Sequence, residues 1–421
     1  MSERGRRVRL GILATHPIQY YAPLYRALAG RDDLDLTVYF AHRPTPAEQG
    51  VGFGVAFTWD VDLTGGYPNI FLRNVARGAL RDRFGDYDTP EIRSIIERGD
   101  FDAFMVHGWQ TRSYWQAMRA CWRTHTPVYV RGDSQLGDDR ALLKRVVKRL
   151  AYPPFVRRFA ACLSVGVRSD AYFRYYGARR VVRSPHFVDN AAFGAGAIAG
   201  RARRAALREA WGIAPSATVA LFAGKLTAKK RPLDLIAAAA GVPGAHVLVV
   251  GDGALRGNME RAARAAGVAA TFTGFRNQSD MPDAYAAADV VVLPSDRNET
   301  WGLVVNEAMA SGLPAIVSDA VGCAPDLIVP GVTGFTYPAG DVEALGAALR
   351  AVAADAGAAR RMGEAAARHV AAYSVGAAAD GVVEAVMTGM AGTTGTTDTT
   401  GTTGTTGTTG TTGTTGMQGR A

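Results

Sequence analysis

The sequence is poor in cysteine, with only Cys121, Cys162 and Cys323 among 421 residues. These cysteines lie far apart and show no metal-ligand spacing, which argues against a cysteine-based metal centre. Scaffolds held together by disulfides need many more cysteines, whereas a chain of this length has ample residues for its own cores. We therefore expect a protein of a reducing compartment, the cytoplasm, without structural disulfides.

Long apolar runs are also missing. No stretch approaches about 20 uncharged apolar residues, so the sequence predicts no membrane span. Basic residues precede the first apolar run, VRLGILA, but Gly11 and His16 keep that run short and strand-like, and a signal peptide is not expected. The sequence predicts a soluble or peripheral protein.

Acidic residues are absent from Arg140 to Arg158, a stretch that contains seven basic residues. A solvated helix face is the simplest interpretation of this stretch, and attraction to anionic lipid headgroups is the second. Nucleic acid is disfavoured as a partner, because neither a helix-turn-helix pattern nor RNA-binding aromatic signatures accompany the charge. Peripheral contact with the inner face of the cell membrane through Arg140–Arg158 therefore stays open.

Short apolar runs alternate with helical patterns along most of the chain, as buried parallel strands joined by crossover helices require. This rhythm predicts an α/β fold with two doubly wound sheets that face each other across a cleft. The strands predicted in the first half cover residues 8–14, 34–40, 101–107, 127–131 and 161–165. Those in the second half cover residues 218–224, 245–251, 270–274, 289–294 and 314–319.

A break in this rhythm follows Pro185, where Asn190 and three glycines are expected to interrupt regular structure. We place the domain boundary there, with an N-terminal domain at 1–190 and a C-terminal domain at 191–375. A helix at 376–391 is expected to follow and to cross back to the first domain. The Thr/Gly-rich tail, 392–421, has no apolar side chains to bury over most of its length and is predicted to be disordered.

Two glutamates stand eight positions apart in PSDRNETWGLVVNEAMASG. Glu299 falls in the loop after a strand, and Glu307 lies inside a helix predicted from Trp301 to about Ser311. The first amides of that helix form a site for a phosphate, and a diphosphate is the natural ligand. Those amides belong to Gly302, Leu303 and Val304. The two carboxylates are suited to accept hydrogen bonds from sugar and ribose hydroxyls, although a favourable dipole contact and a solvated acid would explain them equally well.

Cations and glycines follow two other strands of the second half. Lys225 comes directly after a strand and a glycine, and Lys230 follows before the next helix. Lysines at the carboxyl end of a strand can neutralise the charge of a departing diphosphate, although surface lysines are common. Gly251 and Gly253 at a strand-to-helix turn permit close approach by a nucleotide, but the full G-x-G-x-x-G fingerprint is not met.

Taken in order, GKLTAKKRP, VGDGALR, FTGF, DVVVLPSDRNETWGLVVNEAMASGLPAIVSD and GVTGF resemble the donor-domain motifs of family 4 of the retaining GT-B glycosyltransferases. The resemblance covers about residues 165–350. It implies the GT-B fold, a nucleoside-diphosphate sugar as donor substrate, and transfer of a hexose-type residue to an acceptor hydroxyl with retained configuration. Polysaccharide, glycolipid or cell-envelope glycan synthesis is the expected setting, with a carbohydrate or lipid-linked acceptor.

The resemblance also assigns roles to individual residues. It implies that Glu299 contacts hydroxyls of the donor sugar and that Glu307 binds the ribose. Lys225 and Lys230 would hold the diphosphate, which makes Glu299, Lys225 and Lys230 catalytic candidates. Phe275 and Arg276 fall where such enzymes contact the nucleobase.

The N-terminal half resembles this family less, and it is the half in which such enzymes bind acceptors. His107 ends a predicted strand and resembles the family's cleft histidine, so we include it among the catalytic candidates. His16 and Gln19 follow the first strand and are acceptor-side candidates. An ordinary histidine at the end of a strand, without a role in the site, is the alternative interpretation of both His107 and His16. Asp133 follows another strand and could accept a proton from an acceptor hydroxyl, although a turn-forming role is the simpler interpretation.

We expect no metal and no cofactor, since no DxD motif occurs in a plausible donor context and the lysines already supply positive charge. Two other functions stay open. One is a nucleotide-sugar 2-epimerase of the same fold, which would act without an acceptor. The other is a catalytically silent nucleotide-sugar-binding partner of another transferase.

Overall fold

The computed structural model describes residues 6–77, 83–137 and 142–394. They form two α/β domains, each built on a twisted parallel sheet with helices on both faces. The strands of the first domain are β1 Val8–Ala14, β2 Leu34–Phe40, β3 Asn69–Phe71, β4 Ala103–Val106, β5 Val128–Gly132, β6 Ala161–Ser164 and β7 Val181–Arg183. The helices of this domain are α1 Ala22–Ala29, α2 Pro46–Gln49, α3 Glu91–Arg98, α4 Arg112–Arg123, α5 Leu142–Val156 and α6 Val167–Tyr175.

The first sheet has the order β3-β2-β1-β4-β5-β6-β7, and its strands pair in parallel. The order reverses between β1 and β4, which is the switch point where ligands bind in doubly wound sheets. The residues of β4 and β6 are all buried, as expected for strands covered on both faces. The sheet therefore presents the ends of β1, β4 and β5 to the cleft.

The second domain repeats this arrangement in a sheet with the order β10-β9-β8-β11-β12-β13. Its strands are β8 Thr218–Ala223, β9 Ala245–Val250, β10 Ala269–Gly274, β11 Val290–Leu293, β12 Ala315–Ser318 and β13 Gly334–Tyr337. Its helices are α7 Asn190–Ala202, α8 Arg204–Ala210, α9 Pro232–Ala239, α10 Arg256–Ala265, α11 Met281–Ala287, α12 Leu303–Ala310, α13 Ala324–Leu327, α14 Val342–Ala354 and α15 Ala356–Val370. One further helix, α16 Val375–Thr394, follows them.

The ten strands predicted from the sequence are present, and the structure adds three more. The added strands β3, β7 and β13 are only three or four residues long, too short to show a periodic pattern. The expected irregular break at the domain boundary was wrong, because α7 begins at Asn190. The Asp189 side chain caps this helix by accepting from the Ala192 amide at 3.0 Å. The glycines of α7 let α11 pack closely against it.

Helix α16 returns to the first domain. Its apolar side chains, among them Ala378, Val382 and Val386, join the core formed by β1, β2 and α1. Two glycines permit the close contact, since a Cβ at Gly381 would lie 2.0 Å from the Arg183 carbonyl oxygen, and one at Gly389 would lie 2.2 Å from the Tyr129 hydroxyl. The helix extends to Thr394, so the tail predicted from residue 392 begins in helix. Residues 395–421 of that tail lie outside the described residues.

One helical stretch, Ala356–Met390, is long and apolar enough to cross a membrane by length and composition alone. Half of its most apolar window is buried inside the protein, and its second part belongs to the core of the first domain. A buried core helix passes the same test, so this stretch is weak evidence for a membrane span.

A buried carboxylate joins the two domains. Asp326 of α13 has no exposed side-chain surface and accepts from the Val167 amide at 3.0 Å and from the Arg183 guanidinium at 2.6 Å. The Tyr373 hydroxyl, between α15 and α16, donates to the same carboxylate at 3.2 Å. These bonds tie the first domain to the second at the point where the chain passes back.

Candidate active site

A cavity of about 520 Å³ lies between the domains, at the carboxyl ends of the strands of both sheets. This is where doubly wound domains bind ligands. The lining of the cavity includes most of the predicted site residues. Those that line it are Gln19, Asp133, Lys225, Lys230, Gly251, Phe275, Arg276, Glu299, Gly302, Leu303, Val304 and Glu307.

The N-terminus of α12 forms one wall of this cavity. Gly302 adopts a left-handed backbone with φ of 101°, a conformation that side chains resist, and a Cβ there would lie 2.5 Å from the Leu293 side chain. Gly302 and the first two residues of α12, Leu303 and Val304, line the cavity. Because the amides of these residues have no acceptor within the helix, this wall suits an anion.

Lys230 and Glu299 form an ion pair beside that wall, with Nζ 2.5 Å from Oε2. Their side chains are 14% and 13% exposed, so each charge is largely desolvated and depends on the other. The pair places a cation next to the anion site and a carboxylate next to the space for a neighbouring group.

Glu307 is buried in α12, and both of its oxygens accept hydrogen bonds from tyrosines. The Tyr285 hydroxyl donates at 2.5 Å, and the Tyr20 hydroxyl of the first domain donates at 2.8 Å. Burial raises the pKa of the Glu307 carboxyl, and the two hydroxyl donors partly oppose that effect. Burial, followed by the charge of Glu307, raises the pKa of both tyrosines. The carboxylate therefore holds the two domains together in this conformation.

Of the two glycines predicted to contact the nucleotide, Gly251 lines the cavity, whereas Gly253 is not among its lining residues in the described ranges. A Cβ at Gly251 would lie 2.0 Å from the Gly224 carbonyl oxygen. Gly253 faces protein, since its Cβ would lie 2.8 Å from the backbone of Leu226 and 3.1 Å from the Gly52 carbonyl oxygen. The contact of Gly253 with a nucleotide stays a prediction.

On the first-domain side, Gln19 and Asp133 line the cavity, and Asp133 accepts from the Thr300 hydroxyl at 2.6 Å. His16 is not among the lining residues within the described ranges, and its Nδ1 lies 3.2 Å from the Thr15 hydroxyl.

His107 lies behind Tyr21. The two rings stack with centroids 4.4 Å apart, and the Tyr25 hydroxyl is 2.9 Å from His107 Nε2. Burial, aided by the nearby Arg131 charge, lowers the pKa of His107 to about 3. The imidazole is therefore neutral at neutral pH and is shielded from the cavity by the Tyr21 ring.

The pKa of His107 predicts acid sensitivity. A histidine that is neutral when folded and protonated when unfolded stabilises the protein above its ordinary pKa of 6.5, and that stability is lost as pH falls towards 3. The loss is about 1.4 kcal/mol for each pH unit. His107→Phe keeps a ring against Tyr21 and should lose less unfolding free energy than the unchanged chain between pH 6.5 and 4.5 in urea titrations.

His125→Asn, at an exposed turn, is the matched control and should follow the unchanged chain. An equal loss of unfolding free energy in His107→Phe and in the control would contradict the prediction.

Sequence analysis did not assign several cavity residues, among them Tyr20, His186 and Trp59. Tyr20 follows the predicted site residue Gln19, but its partner Glu307 is 287 positions away in the chain. His186 follows the three-residue strand β7, and burial, with Arg131 and His107 nearby, lowers its pKa well below the ordinary value. Trp59 belongs to an irregular segment in which no periodic pattern marks it.

The site shows no sign of a metal centre in the described part of the chain. Within residues 6–77, 83–137 and 142–394, no group of three or more His, Cys, Asp or Glu side chains is placed to hold a metal ion. The positive groups that line the cavity are Lys225, Lys229, Lys230 and Arg276, together with the α12 amides.

Comparison with known proteins gives a family likeness in the second domain. Residues 203–369 match the family of glycosyl transferases, group 1. A D-inositol 3-phosphate glycosyltransferase of Mycolicibacterium gilvum is 36% identical over 179 residues, which are 41% of this chain and 39% of that protein. The chain thus spans about two fifths of the length of this relative.

Solved structures give a likeness over nearly the whole fold. A sucrose-phosphate synthase from Thermosynechococcus elongatus covers 92% of this chain and 100% of its own, with a TM-score of 0.68 and 19% identity. Alr3699/HepE of Anabaena, solved with UDP, covers 91% of this chain and 100% of its own, with a TM-score of 0.68 and 18% identity. The chain therefore has the GT-B fold, and the match of its second domain supports a group 1 family of GT-B glycosyltransferases.

Proposed function

We propose that this chain transfers a sugar from a nucleoside-diphosphate donor to an acceptor hydroxyl, with retained anomeric configuration and without a metal. The observation that carries the proposal is the meeting of four groups around one cavity between two Rossmann-like domains. They are the α12 amides, Lys225, the Lys230–Glu299 pair and Glu307. The group 1 match and the UDP of the Anabaena structure support the same donor class.

The diphosphate is assigned to the wall where α12 begins. Amides of Gly302, Leu303 and Val304 would bind its oxygens, and Lys225 and Lys230 would neutralise the charge that grows on the leaving phosphate. When the diphosphate enters, Lys230 would bind its oxygens in place of Glu299. The Glu299 oxygen that pairs with Lys230 would then be free. That carboxylate is then placed to accept from hydroxyls of the donor sugar.

The ribose is assigned to Glu307, whose oxygens are held by Tyr20 and Tyr285. A ribose hydroxyl would replace the Tyr20 hydroxyl as donor to this carboxylate. The acceptor is assigned to the first-domain wall, where Gln19 and Asp133 line the cavity. Asp133 is the candidate to receive the proton of the acceptor hydroxyl. His107 would not touch the substrate, and would instead hold the Tyr21 ring in place by stacking on it.

A donor panel tests the proposal. UDP-, GDP- and ADP-sugars are added to the full chain, and a bound ligand must raise its melting temperature. One nucleotide series should stabilise the chain and should be turned over when an acceptor is supplied. Isomerisation of the sugar without an acceptor would indicate an epimerase, binding without turnover would indicate a silent partner, and no stabilisation by any series would overturn the proposal.

We also propose that α5 docks the first domain on an anionic membrane. Val146, Val147 and Leu150 of this helix are 48%, 55% and 73% exposed and share one face. Lys148 and Arg149 come between Val147 and Leu150 in the sequence, and Arg157 and Arg158 follow. Exposed aliphatic side chains beside clustered cations are the features that bind anionic lipid surfaces.

Flotation with vesicles of phosphatidylglycerol and phosphatidylcholine checks this. The unchanged chain should float with the anionic vesicles at low salt and less at high salt, because the attraction is screened. Val147→Glu with Leu150→Glu should lose most of the floated fraction. Ile198→Glu, at a 70% exposed position on α7, is the control and should float normally. Equal flotation of all three proteins, or none by the unchanged chain, would contradict the proposal.

A further inference from the structure

Residues 50–60 of the first domain, which we call the cleft loop, reach across the cleft to the second domain. Hydrogen bonds from Lys225, Asn277 and Ser279 attach this loop there. Lys225 Nζ donates to the Val51 carbonyl at 2.6 Å, Asn277 Nδ2 donates to the Thr58 carbonyl at 2.8 Å, and the Ser279 amide donates to the Asp60 carboxylate at 3.2 Å. The loop thus contacts the two second-domain segments that follow β8 and β10.

The aromatic side chains of the cleft loop gather around Phe275. Phe53 lies with its ring centroid 5.0 Å from that of Phe275, and Phe57 lies 4.1 Å from it. Trp59 packs edge-on against Phe57 at 4.9 Å. Phe53, Trp59 and Phe275 line the cavity, whereas Phe57 lies behind them. Aromatic side chains from both domains therefore meet at one end of the cavity.

Both ends of the cleft loop are fixed to the first domain. Before it, Thr45 and Glu48 cap α2 reciprocally, and His42 Nε2 lies 3.0 Å from the Glu48 carboxylate. After it, Arg26 of α1 donates to the Gly65 carbonyl at 2.9 Å. The loop is therefore held in the first domain at both ends and bonded to the second domain between them.

We propose that Phe53 and Trp59 of the cleft loop, with Phe275, form the surface on which the donor nucleobase stacks. This inference rests on the proposed function, because it names the part of the same cavity that receives the base. A purine or pyrimidine ring stacks favourably on aromatic faces, and such contact tolerates any base. Phe57 positions Phe275 and Trp59 from behind.

The same loop links base binding to diphosphate binding. Lys225 holds the Val51 carbonyl and lies 5.0 Å from the Phe53 ring centroid. A diphosphate that binds Lys225 competes for the ammonium group that holds the loop. When a nucleotide binds, the loop therefore loses its contact with Lys225 and gains a contact with the base.

Calorimetric titration of the full chain with UDP, GDP and ADP tests this, with pyrophosphate as a probe that lacks the base. Pyrophosphate affinity is measured by displacement of the bound nucleotide. Phe53→Ala with Trp59→Ala should weaken the nucleoside diphosphate by about tenfold or more, and should leave pyrophosphate within about twofold. Val55→Ala is the matched control, since its side chain is 41% exposed in the same loop and has no role in the proposed surface.

The outcomes separate the two proposals. If none of the three nucleotides binds the unchanged chain, the proposed function fails and the stacking surface fails with it. If one binds but the double variant binds it equally well, only the stacking surface is wrong. If nucleotide and pyrophosphate weaken together, the loop shapes the whole site and carries no specific contact to the base, which also overturns the inference.

Discussion

Lys230→Ala is expected to lower the turnover number for sugar transfer by about 10²–10³-fold. Lys230 is the cation closest to Glu299 and lines the cavity where the diphosphate is assigned. Loss of one preorganised group that stabilises charge in a transition state has an effect of this size. Release of nucleoside diphosphate, measured with and without acceptor at saturating donor, gives the turnover number.

Two further variants sharpen this test. Lys230→Arg keeps the charge and should retain more activity than Lys230→Ala. Arg264→Ala removes one exposed cation from α10 and should stay within about twofold of the unchanged chain, because long-range charge is screened. A turnover number for Lys230→Ala that stays within about threefold would rule out a role for this lysine in the chemical step.

Glu307→Ala is expected to weaken nucleoside diphosphate binding by about 10- to 100-fold, the size of effect that follows loss of a hydrogen bond to a buried charge. It removes the carboxylate assigned to the ribose and leaves the hydroxyls of Tyr20 and Tyr285 without this acceptor. Calorimetry with the nucleotide chosen by the donor panel measures the affinity. Glu209→Ala, an exposed acid on α8, should bind normally.

Glu307→Gln separates charge from packing. Because burial raises the pKa of Glu307 above the ordinary 4.5, its folded state favours the protonated carboxyl. The stability that it contributes is present below pH 4.5 and is lost as pH rises through the raised value. The unfolding free energy of the unchanged chain should therefore fall relative to Glu307→Gln as pH rises from 4.5 towards neutrality. A constant difference over that range would contradict a raised pKa of the Glu307 carboxyl.

The donor side of the site could be predicted from sequence because its residues lie in short, continuous motifs. A strand, a loop and the start of a helix place Glu299, Gly302 and Glu307 within nine positions of one another. Their geometry follows from local structure, and all three line the cavity. Gly253 is not among the lining residues of the described ranges, and only the structure shows the backbone that lies beside it.

The acceptor side could not be predicted in the same way, because its contacts join distant parts of the chain. His107 ends a strand at the correct edge of the sheet, but the Tyr21 ring covers it. The contact of Tyr20 with Glu307 and the cleft loop both depend on how the domains meet, which no local pattern encodes. The strands β3 and β7 were not predicted for a simpler reason, because a strand of three residues is too short to show an alternation of apolar and polar side chains.

The return of α16 to the first domain has a consequence for the order of folding during synthesis. The ribosome releases the first domain early, yet its core needs Val382 and Val386, which are made only after the whole second domain. The Tyr129 hydroxyl, for example, donates to the Val386 carbonyl, which lies 257 positions later in the chain. The second domain is therefore expected to fold first, although it is translated second. Until α16 leaves the ribosome, the nascent first domain exposes the apolar face that α16 later covers, and we expect chaperones to bind there.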